Sequence, residues 1–250
     1  MDKYLLRADE LRKGVRALDF MACKRVELTE ANPAYALETG ANEVALVCIA
    51  GQADYTSGQI TGTARYKDFL YAPRHRRLEL KTAQRAVWME IASPSDRDTS
   101  FAHIKYSDVA QDPARHKVFG SAETSSLRDV YMFIDDQFNA SRLLMGVCEG
   151  TTGAWTSWPP HEHAAEREEL YVYFDMGKSF SIQCIYEDLD TPLFCGIVRD
   201  GDMVAIPRGF HPNVSCPGGR ITYLYAMAAR VAGKRAFMAL NIQAGFGELK

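Results

Sequence analysis

Residues 201–208 read GDMVAIPR, and residues 67–74 read KDFLYAPR, so an aspartate, an apolar pair and a Pro-Arg pair recur in the same order. Upstream of each segment, Glu43 and Glu169 are each followed by seven mostly apolar residues and a glycine, in the frame E-x7-G. Two matches in the same order indicate a duplicated β unit. We therefore expect an N-terminal unit at residues 1–105, a less regular joining segment at residues 106–139 and a C-terminal unit at residues 140–250.

The rest of the chain also favours strands. Its apolar segments are short, rich in β-branched and aromatic residues, and bounded by Gly, Pro, Asp or Asn. The segments are 43–51, 69–80, 86–93, 169–177, 179–187, 202–210 and 220–229. Helix is expected only in short pieces, such as DKYLLRADELRKG near the start. The sequence therefore predicts an all-β protein.

Composition narrows the class of partner. Of the 250 residues, 47% are apolar, the formal net charge is −3, and basic residues form no block beyond RHRR at residues 74–77. This composition does not point to nucleic acid and favours a small solute as the partner. The chain contains no apolar run of membrane-spanning length, and its start is charged where a signal peptide would be apolar. We expect a cytoplasmic protein without membrane contact.

The cysteines show no pairing motif. None of the six forms a C-x-x-C pair, and several lie in apolar runs. They are Cys23, Cys48, Cys148, Cys184, Cys195 and Cys216. We expect them to be reduced and buried.

The stretch HEHAAEREELYVYF at residues 161–174 concentrates metal-binding side chains at the start of a strand. His161 and His163 are two residues apart, so on an extended chain both imidazoles project from one face. Glu169 follows within reach, and His211 is the one later histidine. Three imidazoles and a carboxylate suit Zn, Mn, Fe or Ni and leave positions open for substrate.

Two alternatives remain open for this cluster. An H-x-H motif in a loop is often only a solvated polar turn. Glu168 competes with Glu169 for the carboxylate role, although the E-x7-G frame favours Glu169. In the first unit, the positions equivalent to the three histidines carry Tyr35, Leu37 and Arg77. We therefore expect the first unit to hold no metal and to serve packing and oligomer contacts, with Glu43 a relic of the frame or a surface residue.

The H-x-H motif, the glutamate at a strand start and the later G-x5-P-x-G-x-H resemble the paired motifs of the cupin β-barrels. The resemblance implies two cupin-type jelly-roll barrels in tandem, a bicupin, with His161, His163, Glu169 and His211 as metal ligands. The segments LETGANEVALVCIAG, SLRDVYMFIDDQFNASRLLMG, WTSWPPHEH and VRDGDMVAIPRGFHP resemble the bacterial 5-deoxy-glucuronate isomerases of inositol breakdown. The segment ELYVYFDM is more similar to the 5-keto-4-deoxyuronate isomerases of pectin breakdown.

Both groups interconvert aldose-type and ketose-type uronic acids, so the resemblance implies a metal-dependent isomerase that acts on a deoxy-uronic acid through an enediolate. We expect one divalent ion per chain, Zn or Mn before Fe or Ni, and a homo-oligomer. Tyr171 and Tyr173 share the ligand face and are the candidate proton carriers, although barrel-core packing would also explain them. Arg208 and Arg128 are the candidate carboxylate-binding residues. An iron-dependent oxygenase and a non-catalytic sugar-binding cupin are the alternatives.

Overall fold

The structure is a computed structural model that describes residues 3–248. In chain order, the strands of the first half are β1 (Leu5–Leu6), β2 (Ala22–Leu28), β3 (Ala34–Glu38), β4 (Asn42–Ala50), β5 (Gln52–Ser57), β6 (Ile60–Arg65), β7 (Phe69–Ala72), β8 (Arg77–Lys81), β9 (Ala86–Pro94) and β10 (Ala102–Ile104). Those of the second half are β11 (His116–Phe119), β12 (Arg128–Ile134), β13 (Leu143–Gly150), β14 (Trp155–Thr156), β15 (His161–Glu162), β16 (Arg167–Tyr173), β17 (Phe180–Ile185), β18 (Phe194–Arg199), β19 (Met203–Ile206), β20 (Asn213–Ser215), β21 (Ile221–Ala229) and β22 (Asn241–Ile242). The helices are α1 (Ala8–Leu11) and α2 (Tyr106–Gln111). The prediction of an all-β protein with short helical pieces is confirmed.

The sheets repeat one arrangement. A five-stranded sheet in the order β10-β7-β4-β9-β2 faces a four-stranded sheet in the order β3-β8-β5-β6. A seven-stranded sheet in the order β1-β19-β16-β21-β13-β12-β11 faces a second four-stranded sheet in the order β14-β20-β17-β18. β4 lies between β7 and β9 as β16 lies between β19 and β21, and these pairs are antiparallel. The duplicated β unit predicted from the sequence is therefore present as two-sheeted halves.

The joining segment is more regular than its sequence indicates. Strands β11 and β12 lie within residues 106–139 and pair with each other and with β13, at the edge of the seven-stranded sheet. β1, near the N terminus, pairs with β19 of that same sheet. The proposed division at residues 1–105, 106–139 and 140–250 stays a proposal, and these pairings show which sheet each strand joins.

Three apolar layers hold the sheets together. The inner face of the first half is filled by side chains such as Trp88. The two large sheets pack against each other, and Phe69 of one stacks on Phe133 of the other with ring centroids 4.0 Å apart. On β16, Leu170 and Val172 point into this middle layer. Because side chains alternate along a strand, the residues between them point the opposite way, into the interior of the second half.

The register of the sheets corrects the E-x7-G alignment by one residue. Val44 on β4 and Glu169 on β16 each pair with the residue that precedes a Pro-Arg pair. Val44 is therefore the counterpart of Glu169, and Glu43 is the counterpart of Glu168. The expectation that Glu43 is a relic or a surface residue is wrong, because its side chain is fully buried.

The described helices are short. Both α1 and α2 are far shorter than a membrane-spanning helix, and no helix within residues 3–248 reaches that length.

Candidate metal centre

Four side chains from three segments meet at one end of the second half. His161 begins β15, which pairs with β22 near the C terminus, and His163 follows directly after β15. Glu169 lies on β16, opposite Ile206 of β19. The chain turns after β19, and this turn carries His211 back toward Glu169. The sheet register thus brings together residues that the sequence separates by fifty positions.

The distances within this cluster are short. Ligand nitrogens of His161, His163 and His211 all lie within 4.8 Å of one another. Glu169 Oε2 lies 3.0 Å from His163 Nε2 and 3.1 Å from His211 Nε2. His163, Glu169 and His211 are buried, and His161 is half-buried. The four residues predicted as ligands are therefore in one place, and a buried histidine triad of this kind could bind a metal.

Backbone carbonyls fix the orientation of the three imidazoles. In each ring Nδ1 faces a carbonyl oxygen, and a carbonyl can only accept, so Nδ1 is the nitrogen that carries the proton. The Nδ1 atoms of His161, His163 and His211 face the oxygens of Pro159 (2.9 Å), Arg167 (3.3 Å) and Gly209 (2.8 Å), respectively. Each Nε2 then presents a lone pair to the common centre, as metal-ligating histidines do.

The arrangement fits a cation. His211 Nε2 is buried and has no aligned hydrogen-bond partner among residues 3–248, although Glu169 Oε2 is only 3.1 Å away. With the proton on Nδ1, the facing atoms of His163, His211 and Glu169 are all acceptors, and such atoms repel one another unless a positive charge lies between them. A divalent metal ion supplies that charge, and the nitrogen and oxygen donors suit Zn, Mn, Fe or Ni.

The pKa shifts within the cluster favour the protonation states that metal ligands require. Burial, reinforced by the neighbouring His211 and His163, lowers the pKa of His161 to about 3. Burial also lowers the pKa of His163, against the pull of Glu169. Burial acts to raise the pKa of Glu169, but the adjacent imidazoles of His163 and His211 outweigh it and hold this pKa well below its ordinary value. Neutral imidazoles and an ionised carboxylate are the forms that bind metal.

Glu168 points away from this cluster. Its carboxylate accepts hydrogen bonds from the backbone N–H groups of Asp19 at 3.1 Å and Phe20 at 2.7 Å. Of the two glutamates left open by the sequence, Glu169 is the one that faces the histidines.

A pocket opens beside the cluster, with about 550 Å³ of empty space that includes its solvent-filled mouth. His161, His163 and Glu169 form one wall. Other polar side chains on the wall are Arg128, Ser157, Tyr171, Tyr223 and Tyr225. Cys148 and five apolar side chains complete it, namely Phe119, Val130, Met227, Phe237 and Leu240. The cavity is therefore polar at the cluster and largely aromatic and aliphatic elsewhere.

Two of the four predicted substrate or proton-transfer residues line this cavity. The Tyr171 hydroxyl lies 2.9 Å from Ser157 Oγ, and the Tyr171 ring packs edge-on against His211 with centroids 5.9 Å apart. The Arg128 side chain donates hydrogen bonds to the carbonyl oxygens of Ser126 at 2.9 Å and Trp158 at 2.5 Å. Arg128 is only 4% exposed and has no carboxylate partner within the described part of the chain.

The other two predicted residues, Tyr173 and Arg208, do not line this cavity. Tyr173 lies two residues beyond Tyr171 on β16. Its hydroxyl donates to Gln183 Oε1 at 2.5 Å and accepts from Asn213 Nδ2 at 3.1 Å. It serves the interior of the barrel and does not reach the cavity. The Arg208 side chain is 57% exposed and pairs with Glu187 at 3.3 Å, because the turn at Gly209 directs it outward.

Sequence reasoning missed Tyr225. It lies on β21 opposite Tyr171, and its buried hydroxyl has no hydrogen-bond partner among the residues described. Gly146 lies opposite Tyr225 on the other side, and a Cβ there would stand 2.3 Å from the Tyr225 hydroxyl oxygen. The alternation in RITYLYAMAA puts Tyr225 on the same face as Tyr223 and Met227, but periodicity alone does not show that β21 neighbours β16.

The amino-acid sequence of this chain is similar to those of several known proteins. The 5-deoxy-glucuronate isomerase of Bacillus subtilis subsp. natto is 25% identical over 265 residues, covering 94% of this chain and 95% of that enzyme. That of Geobacillus kaustophilus is 31% identical over 112 residues, 42% of this chain and 41% of that enzyme. The 4-deoxy-L-threo-5-hexosulose-uronate ketol-isomerase of Opitutus terrae is 27% identical over 169 residues, 64% of this chain and 57% of that enzyme.

Solved structures share the fold. An IolB-like protein of Salmonella typhimurium superposes with a TM-score of 0.76 at 20% identity, covering 91% of this chain and 89% of that chain. A cupin 2 conserved barrel domain protein of Leptotrichia buccalis gives a TM-score of 0.50 at 13% identity, with 84% of each chain covered. The expected tandem cupin fold is confirmed. The model of the KduI/IolB family matches residues 10–241, so this chain belongs to the KduI/IolB family.

Proposed function

We propose that this chain is a metal-dependent ketol isomerase that acts on a deoxy-uronic acid. The relatives that match it are named as isomerases of such acids. The observation that carries the proposal is the position of Arg128, a buried guanidinium that lines the same cavity as the His-Glu cluster and has no carboxylate partner among residues 3–248. A buried cation without an anionic partner is costly, and the carboxylate of a uronate would supply the missing charge.

We assign the metal to His161, His163, Glu169 and His211. Bound there, a divalent ion would polarise the carbonyl and neighbouring hydroxyl of the substrate and ease loss of the proton between them. One ion per chain is expected, because Val44 stands in the first half where Glu169 stands in the second. Zn or Mn is the preferred ion, with Fe or Ni as alternatives, and elemental analysis of the purified protein tests this assignment.

Arg128 would hold the substrate carboxylate. Two of its N–H groups already bind backbone carbonyls, which fixes the guanidinium plane. The remaining donors have no hydrogen-bond partner among residues 3–248 and can form charge-assisted hydrogen bonds. A substrate held at both ends, by Arg128 and at the ligand cluster, keeps its reacting carbons in one position along the cavity.

Tyr171 and Tyr225 would handle protons and developing charge. Apart from the proposed ligands, the titratable side chains on the cavity wall are Arg128, Cys148 and three tyrosines. The Tyr171 ring packs against His211, and the Tyr171 hydroxyl contacts Ser157, which would be the next member of a proton relay. The Tyr225 hydroxyl, which has no partner in the described part of the chain, would donate to a substrate oxygen.

The experiment compares a uronate with the neutral aldose that lacks its carboxylate. Arg128→Met should lower kcat/KM for the uronate by roughly 10- to 100-fold, the value of a hydrogen bond to a charged group, and change little for the neutral sugar. Arg208→Met is the matched control, since that arginine is exposed and outside the cavity. Equal losses on both substrates would mean that Arg128 only supports the backbone, and the carboxylate assignment would fail.

Substrate, location and assembly belong to the same proposal. We infer that 5-deoxy-glucuronate is the substrate, as the names of most matched relatives suggest, in a cytoplasmic homo-oligomer that serves inositol breakdown. An NMR assay against 5-deoxy-glucuronate and 4-deoxy-L-threo-5-hexosulose-uronate distinguishes the two named substrates. Turnover of the second alone would reverse the assignment while leaving the isomerase proposal intact.

A further inference from the structure

Two cysteines form a close pair outside the metal centre. Cys184 on β17 and Cys195 on β18 lie directly opposite each other, and their Sγ atoms are 3.6 Å apart. Residues directly opposite on antiparallel strands have Cα atoms about 4.5 to 5.5 Å apart, which is within the range that a disulfide spans. The sequence predicts buried thiols, but Cys195 is exposed and Cys184 is half-buried.

The remaining cysteines do not share this arrangement. Cys23, Cys48 and Cys148 are buried, as expected, and burial raises the pKa of each thiol. Cys216 lies in the turn after β20, where its Sγ is 3.1 Å from Ser179 Oγ. Within the described part of the chain, the pair of Cys184 and Cys195 is thus the place where two accessible thiols meet.

We propose that Cys184 and Cys195 are a reversible redox pair that closes to a cross-strand disulfide on reaction with a small disulfide such as oxidised glutathione. The Cys195 thiolate attacks one sulfur of glutathione disulfide, forming a mixed disulfide and releasing one glutathione. The Cys184 thiol then loses its proton and attacks the Cys195 sulfur, releasing the second glutathione. The protein loses two protons and two electrons, and these reduce one glutathione disulfide to two glutathione thiols.

The order of attack follows from exposure. Cys195 is open to solvent, whereas burial and the neighbouring Cys195 raise the pKa of the Cys184 thiol to about 12. A thiol with a raised pKa is a poor first attacker, since the thiolate is the reactive form. Cys184 is instead placed to resolve the mixed disulfide, because that sulfur is already beside it.

The position of β18 in its sheet allows the small movement that would bring the two sulfur atoms into bonding distance. β18 is at the edge of its four-stranded sheet and pairs with β17 alone among the described strands. An edge strand can shift toward its neighbour without disturbing a second ladder. The new bond would close the loop of residues 186–193 and bind the edge strand covalently to β17. Restricting this loop in the unfolded chain should raise thermal stability.

Digestion with trypsin gives a direct test. Residues 179–199, SFSIQCIYEDLDTPLFCGIVR, form one tryptic peptide that contains both cysteines of the pair and no other cysteine. After the full-length protein is treated with oxidised glutathione and then alkylated in denaturant, this peptide should take up no alkylating group. Cleavage at Glu187 should leave its two halves joined until a reductant is added. The oxidised protein should also melt at a higher temperature than the reduced one.

Single variants test the order of the steps. Cys184→Ser should accumulate one glutathione on Cys195, and Cys195→Ser should react much more slowly. Cys216→Ser is the matched control and should still form the disulfide. If the peptide is alkylated at both cysteines after oxidation, or if wild-type Cys195 retains glutathione in the folded protein, the pair does not close and the proposal is overturned.

Discussion

Glu43 and Glu168 occupy equivalent register positions in the two halves, and each carboxylate binds the backbone that leads into a strand of the other half. Glu43 accepts hydrogen bonds from the N–H groups of residues 141–143, at 2.7, 2.6 and 2.9 Å. Glu168 accepts from Asp19 and Phe20, just before β2. Glu43 and Glu168 therefore form a reciprocal clamp, in which each half binds the backbone of the other. Neither glutamate belongs to the proposed metal ligands.

The clamp predicts a stability effect at Glu43. Glu43→Gln places an amide N–H among backbone N–H donors and should lower the free energy of unfolding by roughly 1 to 3 kcal/mol, the cost of unsatisfied buried polar groups. Urea denaturation measures this loss. Glu38→Gln, which alters an exposed glutamate paired with Arg77, is the control and should change stability little. Equal, small effects at both sites would show that the clamp contributes nothing.

Much of the fold follows from local patterns in the sequence. Alternation and bounding Gly and Pro residues predicted the main strands, and the shared Pro-Arg segments predicted the duplication. The E-x7-G frame aligns the two halves one residue away from their true register, because its glycine lies beyond the strand and the turns that follow the two strands differ in length. β5 starts at Gln52, two residues after β4 ends, whereas β17 starts at Phe180, seven residues after β16 ends. Register, which hydrogen bonding between strands sets, is not visible in such a count.

The candidate site was predicted in part for a similar reason. The four proposed ligands follow from motif spacing, and Tyr171 and Tyr173 do share a face, as alternation requires. Alternation does not predict how far the cavity extends along β16. The cavity ends before Tyr173, whose hydroxyl binds Gln183 instead. Tyr225 comes from a strand whose neighbours are set only by the folded sheet, so no local pattern could assign it.

The metal assignment predicts different outcomes for two adjacent glutamates. Glu169→Gln should weaken metal binding by roughly 10-fold or more, because it removes the anionic oxygen that faces two imidazoles. Glu168→Gln should leave metal affinity nearly unchanged and lower stability instead, since its partners are backbone N–H groups. Competition with a chelator measures the first quantity and urea denaturation the second. The reverse pattern would assign the ligand role to Glu168.

Two tyrosines should separate activity from stability. Tyr225→Phe removes a hydroxyl that has no hydrogen-bond partner among residues 3–248, so it should lower kcat by roughly 10-fold or more and leave stability unchanged or slightly higher. Tyr173→Phe breaks the hydrogen bonds with Gln183 and Asn213, so it should lower stability by about 1 kcal/mol and affect kcat less. Steady-state kinetics and thermal melts on both variants measure the two effects. Unchanged kcat in Tyr225→Phe would remove that hydroxyl from the reaction.

Asp68 predicts a pH dependence of stability away from the metal centre. Burial acts to raise its pKa, but hydrogen bonds from His103 and from the N–H groups of Arg65 and Tyr106 lower it below its ordinary value. A lowered folded-state pKa contributes stability above about pH 4 that is lost as the pH falls through the folded-state value. Asp68→Asn should cost roughly 1 to 3 kcal/mol at neutral pH, and less as the solution is acidified. A difference that stays constant in urea denaturation down to about pH 3 would exclude this ionisation as the cause.

The route that hydrogen takes during isomerisation distinguishes proton transfer from a hydride shift. If a protein group such as the Tyr171 hydroxyl carries the proton, turnover of the uronate in heavy water should place deuterium at the carbon that gains it, because the carrier exchanges with solvent. A direct hydride shift would move hydrogen between carbons without exchange. The proton route is favoured because the described residues provide one cluster of ligands with hydroxyl neighbours, whereas a hydride shift commonly uses two paired metals. Partial incorporation, measured by NMR, is compatible with a carrier shielded in the cavity. Product that is fully isomerised yet free of solvent deuterium would remove the proton-carrying role from Tyr171 and leave the four proposed ligands in place.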